Sequence, residues 1–315
     1  MNDFIINVNS KSPGVTQDGF GTILVLSDKE DIDFTVIHDL ADSKVKDEST
    51  NKLLETIFRQ KPRPRKVFLI GKVDGNLTEV LDEALNVTSD FFFIVSTNHD
   101  IALAEKIELL EKMYFTTVRE VAEIKGDLSN TVAIYHEGDN EYPAEALAVI
   151  MSYKVGGKTA KFKKLIGVEP STVTATEKLV LEKSNIGTYE VIKGIAQTTG
   201  AKVLAGEWVD VVLGSYFIKF LAEQRVVELA TNVDKIPFNN SGIGMLAGTI
   251  GTVMSAGVNQ DILDGYTIDY RRAENVTAEE KASRVYNYLT ATGELQGAIH
   301  GGTININLVY DEVSE

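Results

Sequence analysis

Five short, almost purely apolar runs constrain this chain more than any other feature: "TILVL" (22–26), "FTVI" (34–37), "VFLI" (67–70), "FFFIV" (91–95) and "VAIY" (132–135). Each is too short for a globular helix and is apolar on both faces, so each is expected to be a strand in a sheet covered on both sides. The stretches between them have helical spacing, which predicts an α/β layer from about residue 20 to residue 136. Asn76 followed by Glu79 reads as a capping box ahead of Leu77, Val80, Leu81 and Leu85. Ser49 precedes Leu53, Leu54, Ile57 and Phe58 in the same manner, and "DGN" (74–76) marks the break between strand and helix.

From residue 144 the texture changes. "AEALAVIMSY" reads as a helix, Pro170 marks a turn, and Thr174 with Glu177 opens another helix. Residues 206–231 are the longest helical pattern, with Val209, Leu213, Phe217, Phe220, Leu221 and Val227 along an apolar stripe. Further helices are predicted from Ser241 to about Ala256 and from Thr277 to Leu289, followed by a hairpin or strand pair in "GELQGAIHGGTININLVY". This half is helix-rich and ends in β structure.

The 315 residues correspond to about two domains at roughly 150 residues each. There is no cysteine, which removes disulfides, thiol nucleophiles and thiolate metal sites. A net charge of −15 argues against direct contact with a nucleic acid. No run approaches the roughly 18 apolar residues of a membrane span, so membrane insertion is not expected. The start, "MNDFIINVNSKSP", does not resemble a signal peptide.

Candidate chemistry is sparse. "SGIGMLAGTIG" spaces its third glycine one position too late for a dinucleotide fingerprint and follows "KIPFNN" rather than a buried strand. It reads as a helix that packs closely through small residues, capped by Asn240 or Ser241. The most site-like stretch is Ser96, Thr97, Asn98, His99 and Asp100, at the carboxyl end of an expected buried strand, where open α/β sheets place ligands. An α/β nucleotide- or small-ligand-binding enzyme using residues 96–100 is therefore the alternative. The local explanation is that Asn98 or Asp100 caps the next helix and His99 lies exposed. His38, His99, His136 and His300 do not pair at helical spacing, and no catalytic motif occurs, so no catalytic residue, metal site or cofactor is expected. Two basic clusters, Arg59, Lys61, Arg63, Arg65 and Lys66, and then Lys158, Lys161, Lys163 and Lys164, stand against the acidic background. They read as solvated loops or as docking points for acidic faces of identical copies.

Both ends of the chain are strand-like. Phe4, Ile6 and Val8 share one face of "FIINV"; Ile304, Ile306, Leu308 and Tyr310 share one face of "TININLVY". Each end is joined to the body by a turn-prone segment, "NSKSPG" or "HGG". A ribbon of this kind is marginal alone in water, so projecting ends must find edges on neighbouring chains.

Three ordered patterns carry a resemblance: Gly206, Glu207, Trp208, Asp210, Val212 and Gly214; Lys235, Ile236, Pro237, Phe238, Asn240, Gly242 and Ile243; and Leu295 with Gly297 to His300. With their flanks they resemble the contractile tail sheath proteins of myovirus-type phages and related tailocins, over roughly residues 130–310. The resemblance implies an α+β or α/β subunit of two domains. Residues 1–18 are an N-terminal strand arm, 19–195 an outer α/β domain, 196–302 an inner C-terminal domain, and 303–315 a C-terminal strand arm. It further implies a structural subunit that polymerises as stacked hexameric rings, with arms adding strands to neighbours, and that contracts to drive an inner tube through an envelope during viral genome ejection or tailocin attack. Implied partners are the chain itself, an inner tail tube protein, baseplate proteins and a tail terminator; the implied location is a virion tail or tailocin particle assembled in the host cytoplasm. A different polymeric component, a tube or capsid protein, is the third reading.

Overall fold

The computed structural model describes residues 20–120 and 126–305. Its centre is an eight-stranded sheet built from β1 (Ile23–Ser27), β2 (Ile32–Ile37), β3 (Val67–Gly71), β4 (Phe93–Ser96), β5 (Met113–Val118), β6 (Thr131–Tyr135), β7 (Gly187–Ile192) and β8 (Ile195–Thr198), in the order β2-β3-β1-β4-β5-β6-β7-β8. The six inner strands are parallel, while β2 and β8 run antiparallel along the two edges. All five apolar runs become strands.

The two-sided burial expected of these runs follows their period of two. Ile23 and Val25 of β1 enter one core with Val67, Leu69, Phe93, Val95 and Phe115. Leu24 and Leu26 enter the other with Phe68, Ile70, Ile94 and Tyr114. The first core is closed by α1 (Glu48–Arg59), α4 (Pro143–Met151) and the start of α6 (Val209–Asn232). The second is closed by α2 (Leu77–Val87), α3 (Ile101–Ile107) and Leu181 of α5 (Ala175–Lys183).

Three strands of this sheet escape a search for apolar runs. Central β5, "MYFTTV", is wholly buried although it carries two threonines. Their hydroxyls are satisfied inside: Thr117 donates to Glu145, and Thr116 lies 3.2 Å from Nδ1 of His99. Strands β7 and β8 form a half-exposed hairpin with few consecutive apolar residues. The caps show similar local differences. Asn76 caps α2 through Thr78 N–H, and Thr174 and Glu177 form the expected reciprocal box. For α1 the cap is Asp47, two residues before Ser49, because its longer side chain accepts from both Thr50 N–H and the Thr50 hydroxyl.

Glu145, in the first turn of α4, is buried beneath β5 and accepts from Thr117 N–H and hydroxyl. Burial pushes its carboxyl up to about 7, outweighing those bonds and the charge of Arg119. The unfolded chain releases this proton near 4.5, so the folded state binds more protons between the two values. The resulting contribution to stability is full below about pH 4.5 and is lost as pH rises through about 7, amounting to about 3 kcal/mol. Glu145→Gln keeps the hydrogen bonds without the titration. Denaturant unfolding of both proteins from pH 5 to pH 8 should show this downward slope removed in the variant; parallel profiles would contradict it.

After the sheet, α6 and α7 (Asn240–Asn259) pack side by side through Leu221, Ala222, Val253, Ile218 and Ile250. Helix α7 carries no charged residue and is long and apolar enough by composition to cross a membrane. Here one side packs on α6 and on β9 (Leu263–Tyr270), which pairs antiparallel with β10 (Leu289–Leu295). The helix predicted over 277–289 is corrected. Its capping box forms, Thr277 with Glu280, but α8 spans only Ala278–Ala282. Arg284 then takes a positive φ, and Tyr286 and Tyr288 bind back to Arg271 O and Glu280, so that Leu289 begins β10 instead. The cap of α7 is Asn239, accepting from Gly242 N–H, rather than Asn240 or Ser241.

Close backbone approach joins the two parts of the chain. Gly156 has φ +77°, and a Cβ there would lie 2.5 Å from Cα of Gly214 on α6. Only glycine meets both conditions.

Candidate assembly interface

The two-stranded sheet β10-β9 is the least completed element of the fold. Its register runs from Leu289↔Tyr270 to Glu294↔Gly265, then slips by one residue to Leu295↔Leu263. One face rests on α7, with Ile268 over Gly251 and Leu263 beside Met254. Among the described residues neither outer edge has a partner strand. Unpaired strand edges present rows of N–H and C=O groups that another chain can extend. Strand β9, like β5, β7 and β8, is not evident from the sequence pattern; its aspartates, Asp264 and Asp269, and exposed tyrosines, Tyr266 and Tyr270, hide the alternation.

Ile304 is 86% exposed and belongs to no strand in the single chain, and most of the strand expected over residues 303–310 lies outside the described residues. An isolated extended segment has no ladder to satisfy it. Phe4, Ile6, Val8, Ile306, Leu308 and Tyr310 lie outside the described residues.

Near both ends of the described residues, side chains pack against α6 or the residue that precedes it. At the first of these ends Phe20 stacks on Phe92 (4.4 Å between ring centres) and Phe220 (5.2 Å), with Phe217 at 6.1 Å. Beside this cluster Lys219 forms a buried ion pair with Glu111, and Tyr216 donates to Asn130. At the other end Trp208, the residue that precedes α6, meets the His300 ring edge to face at 4.6 Å. His300 Nε2 lies 2.8 Å from the Thr159 hydroxyl, and Phe162 lies 6.2 Å away. Burial and Lys161 hold the His300 imidazolium below its usual range, against the opposing charge of Asp210.

The patterns that carried the resemblance therefore have local physical reasons. Trp208 and His300 touch each other. Gly214 lies under Ile262 and against Gly156, and Gly242 sits over the Pro237 carbonyl with no room for a side chain. Asn240 accepts from Ala273 N–H and donates to Glu274, tying the start of α7 to the segment after β9.

Residues 96–100 are engaged with one another. Asp28 accepts from the Thr97 hydroxyl and the Asn98 amide, which help to hold its carboxyl below the usual range against its burial. Ser96 shares a hydrogen bond with Tyr114 and donates to Asn98 O. Asp100 caps α3 through Leu103 N–H, as the local explanation expected, while His99 is half-buried over Tyr114 rather than exposed. The other histidines have local roles: His38 lies beside Arg65 O, and His136 bridges Glu169 O and Gly138 N–H. In the first basic cluster Arg59 pairs with Glu55, and Arg63 pairs with Asp39 while covering the Phe58 ring.

The fold as a whole, a mixed α/β sheet body with a helix pair and a two-stranded ribbon, is similar to that of chains from contractile assemblies. Over 98% of this chain it is similar to a chain of the anti-feeding prophage baseplate, solved by cryo-EM with six-fold symmetrisation, with a TM-score of 0.69, 13% identity and 99% of that chain covered. It is likewise similar to a chain of the PVC sheath complex of an extracellular contractile injection system in its contracted state (TM-score 0.67, 12% identity, 98% and 97% covered). The sheath tail protein of Desulfitobacterium hafniense matches over 92% of this chain and all of its own length, with a TM-score of 0.53 and 10% identity. No protein-family model and no curated sequence matches the chain.

Proposed function

We propose that this chain is the sheath subunit of a contractile particle, a phage tail or a related injection device. The observation that carries the proposal is the open-edged ribbon on a fold that agrees with sheath proteins over nearly the whole of both chains. In this reading residues 1–18 and 303–315 are strand arms, with Phe4, Ile6 and Val8 on one and Ile304, Ile306, Leu308 and Tyr310 on the other presenting apolar faces to neighbours. Residues 19–195 form the outer body and 196–302 the inner lobe, with α6 as a shared strut. Each ladder bond contributes roughly 0.5–1.5 kcal/mol net, so several bonds per arm, repeated at every subunit, form a mesh that holds while rigid bodies move.

Stacked hexameric rings surround an inner tube in this proposal, between a baseplate and a terminator. Contraction then replaces loose contacts between bodies with closer ones while the arms stay paired. The role needs no catalytic group.

Negative-stain electron microscopy of the purified protein tests this directly. Hollow, cross-striated cylinders are expected. Dispersed globules that bind a nucleotide saturably would reject the proposal in favour of an α/β enzyme.

A further inference from the structure

The second basic cluster differs from the first. Among the described residues, none of Lys158, Lys161, Lys163, Lys164 and Lys202 forms an ion pair with a carboxylate, although the chain holds 46 acidic against 31 basic residues. Lys161 lies over the ring of Phe162, and Lys202 over that of Trp208 at 4.9 Å. Both rings are exposed, Phe162 by 48% and Trp208 by 39%. His300 bridges them. The carboxylates at this rim are Asp210, half-buried beside His300, and Glu207, whose oxygen accepts from Trp208 N–H. Burial lowers the ammonium pKa of both Lys158 and Lys163, and Lys158 is further lowered by Lys163 and Lys154. An arriving anion would relieve this repulsion. Exposed aromatic rings framed by cations are the side-chain types that dominate binding at protein interfaces.

We propose that this patch receives the acidic segment Asp311–Glu315 of a second copy of the chain. Asp311, Glu312 and Glu315 supply three negative charges within five residues. They follow directly on Ile304–Tyr310, whose alternation is that of an extended strand. The seven residues of such a strand span about 23 Å at roughly 3.3 Å each, which carries the acidic segment away from its own root at His300 and toward a neighbour. The inference thus rests on the arm reading for its choice of a second copy. It adds a charged lock beyond the end of the ladder, next to the root of the neighbour's own arm.

Trp208 is the chain's single tryptophan and lies in the patch, so its emission reports occupancy. The test titrates a peptide of residues 310–315 into dispersed full-length protein at low ionic strength, exciting Trp208 selectively. A saturable change in emission is expected, weakened at least tenfold by 0.5 M salt. The same loss is expected for a peptide carrying Asp311→Asn, Glu312→Gln and Glu315→Gln, and for the protein variant Lys161→Glu/Lys163→Glu. No response to millimolar peptide would overturn the proposal, and so would an equal response to the neutral peptide, a comparison that needs no altered protein. The peptide lacks Ile304–Val309, so its binding does not require strand donation. Tubes without any peptide response would remove the patch alone, whereas peptide binding without tubes would uphold the patch and count against the sheath.

Discussion

A chain ending at Gly302 folds as the full chain does but forms no tubes. Thr303, Ile304 and Asn305 are exposed and lie outside every helix and strand, so their removal takes no core contact from the single subunit. Thermal unfolding of the truncated chain should stay within about 2 °C of the full chain, a shift corresponding to less than about 1 kcal/mol. Assembly is a different matter. A seven-residue strand added to the edge of β9 or β10 makes roughly three or four ladder bonds toward that edge and buries one apolar face, several kcal/mol at each junction. Since 1.4 kcal/mol corresponds to about a factor of ten, losing this at every junction raises the concentration needed for assembly by several orders of magnitude. Sedimentation and electron microscopy of the two chains read the difference. Tubes from the shortened chain would refute the role given to the arm.

Lys219→Met destabilises the subunit by about 3–5 kcal/mol. Lys219 and Glu111 are buried together between α6 and the segment leading into β5, with Glu223 3.9 Å from the same ammonium. Removing one member of a buried pair leaves the other desolvated and uncompensated, which costs more than the intact pair contributes. Here Glu111 would also face Glu223 without the Lys219 ammonium between them. The expected fall in melting temperature is about 5–8 °C. The double variant Lys219→Met/Glu111→Leu, which removes both charges, should recover most of it. Calorimetry distinguishes the outcomes: a single variant within 0.5 kcal/mol of the parent would show that the pair does not hold α6 against the sheet. The pair matters beyond its own contact because Phe20 packs on the same turn of α6, so loosening it also loosens the aromatic cluster around Phe20.

The α/β layer was legible because its strands are apolar on both faces, and the period of two reappears in Ile23, Leu24, Val25 and Leu26 as an alternation between two cores. Strand β5 was not, since Thr116 and Thr117 interrupt the run and are made burial-competent by His99 and Glu145, residues far away in sequence. Caps that rely on contacts three residues away, such as Thr174 with Glu177, could be read locally. Asp47 and Asn239 won over neighbouring candidates through small differences in reach. At the candidate interface, Trp208 and His300 were visible as separate marks, but their contact spans 92 positions of the chain and depends on how residues 158–164 turn, including a positive φ at Phe162. Strand β9 stayed hidden because its burial is partial: Leu263 alone is fully buried, and polar and exposed residues fill most of the other positions.

The most direct measurement is a cryo-EM map of ordered cylinders at a resolution that traces the backbone. The predicted result is Ile304–Tyr310 of one copy lying along the free edge of β9 or β10 in another, with continuous main-chain hydrogen bonds between the two molecules. A map in which both ends of every chain fold onto their own molecule, leaving those edges bare between neighbours, would contradict the account.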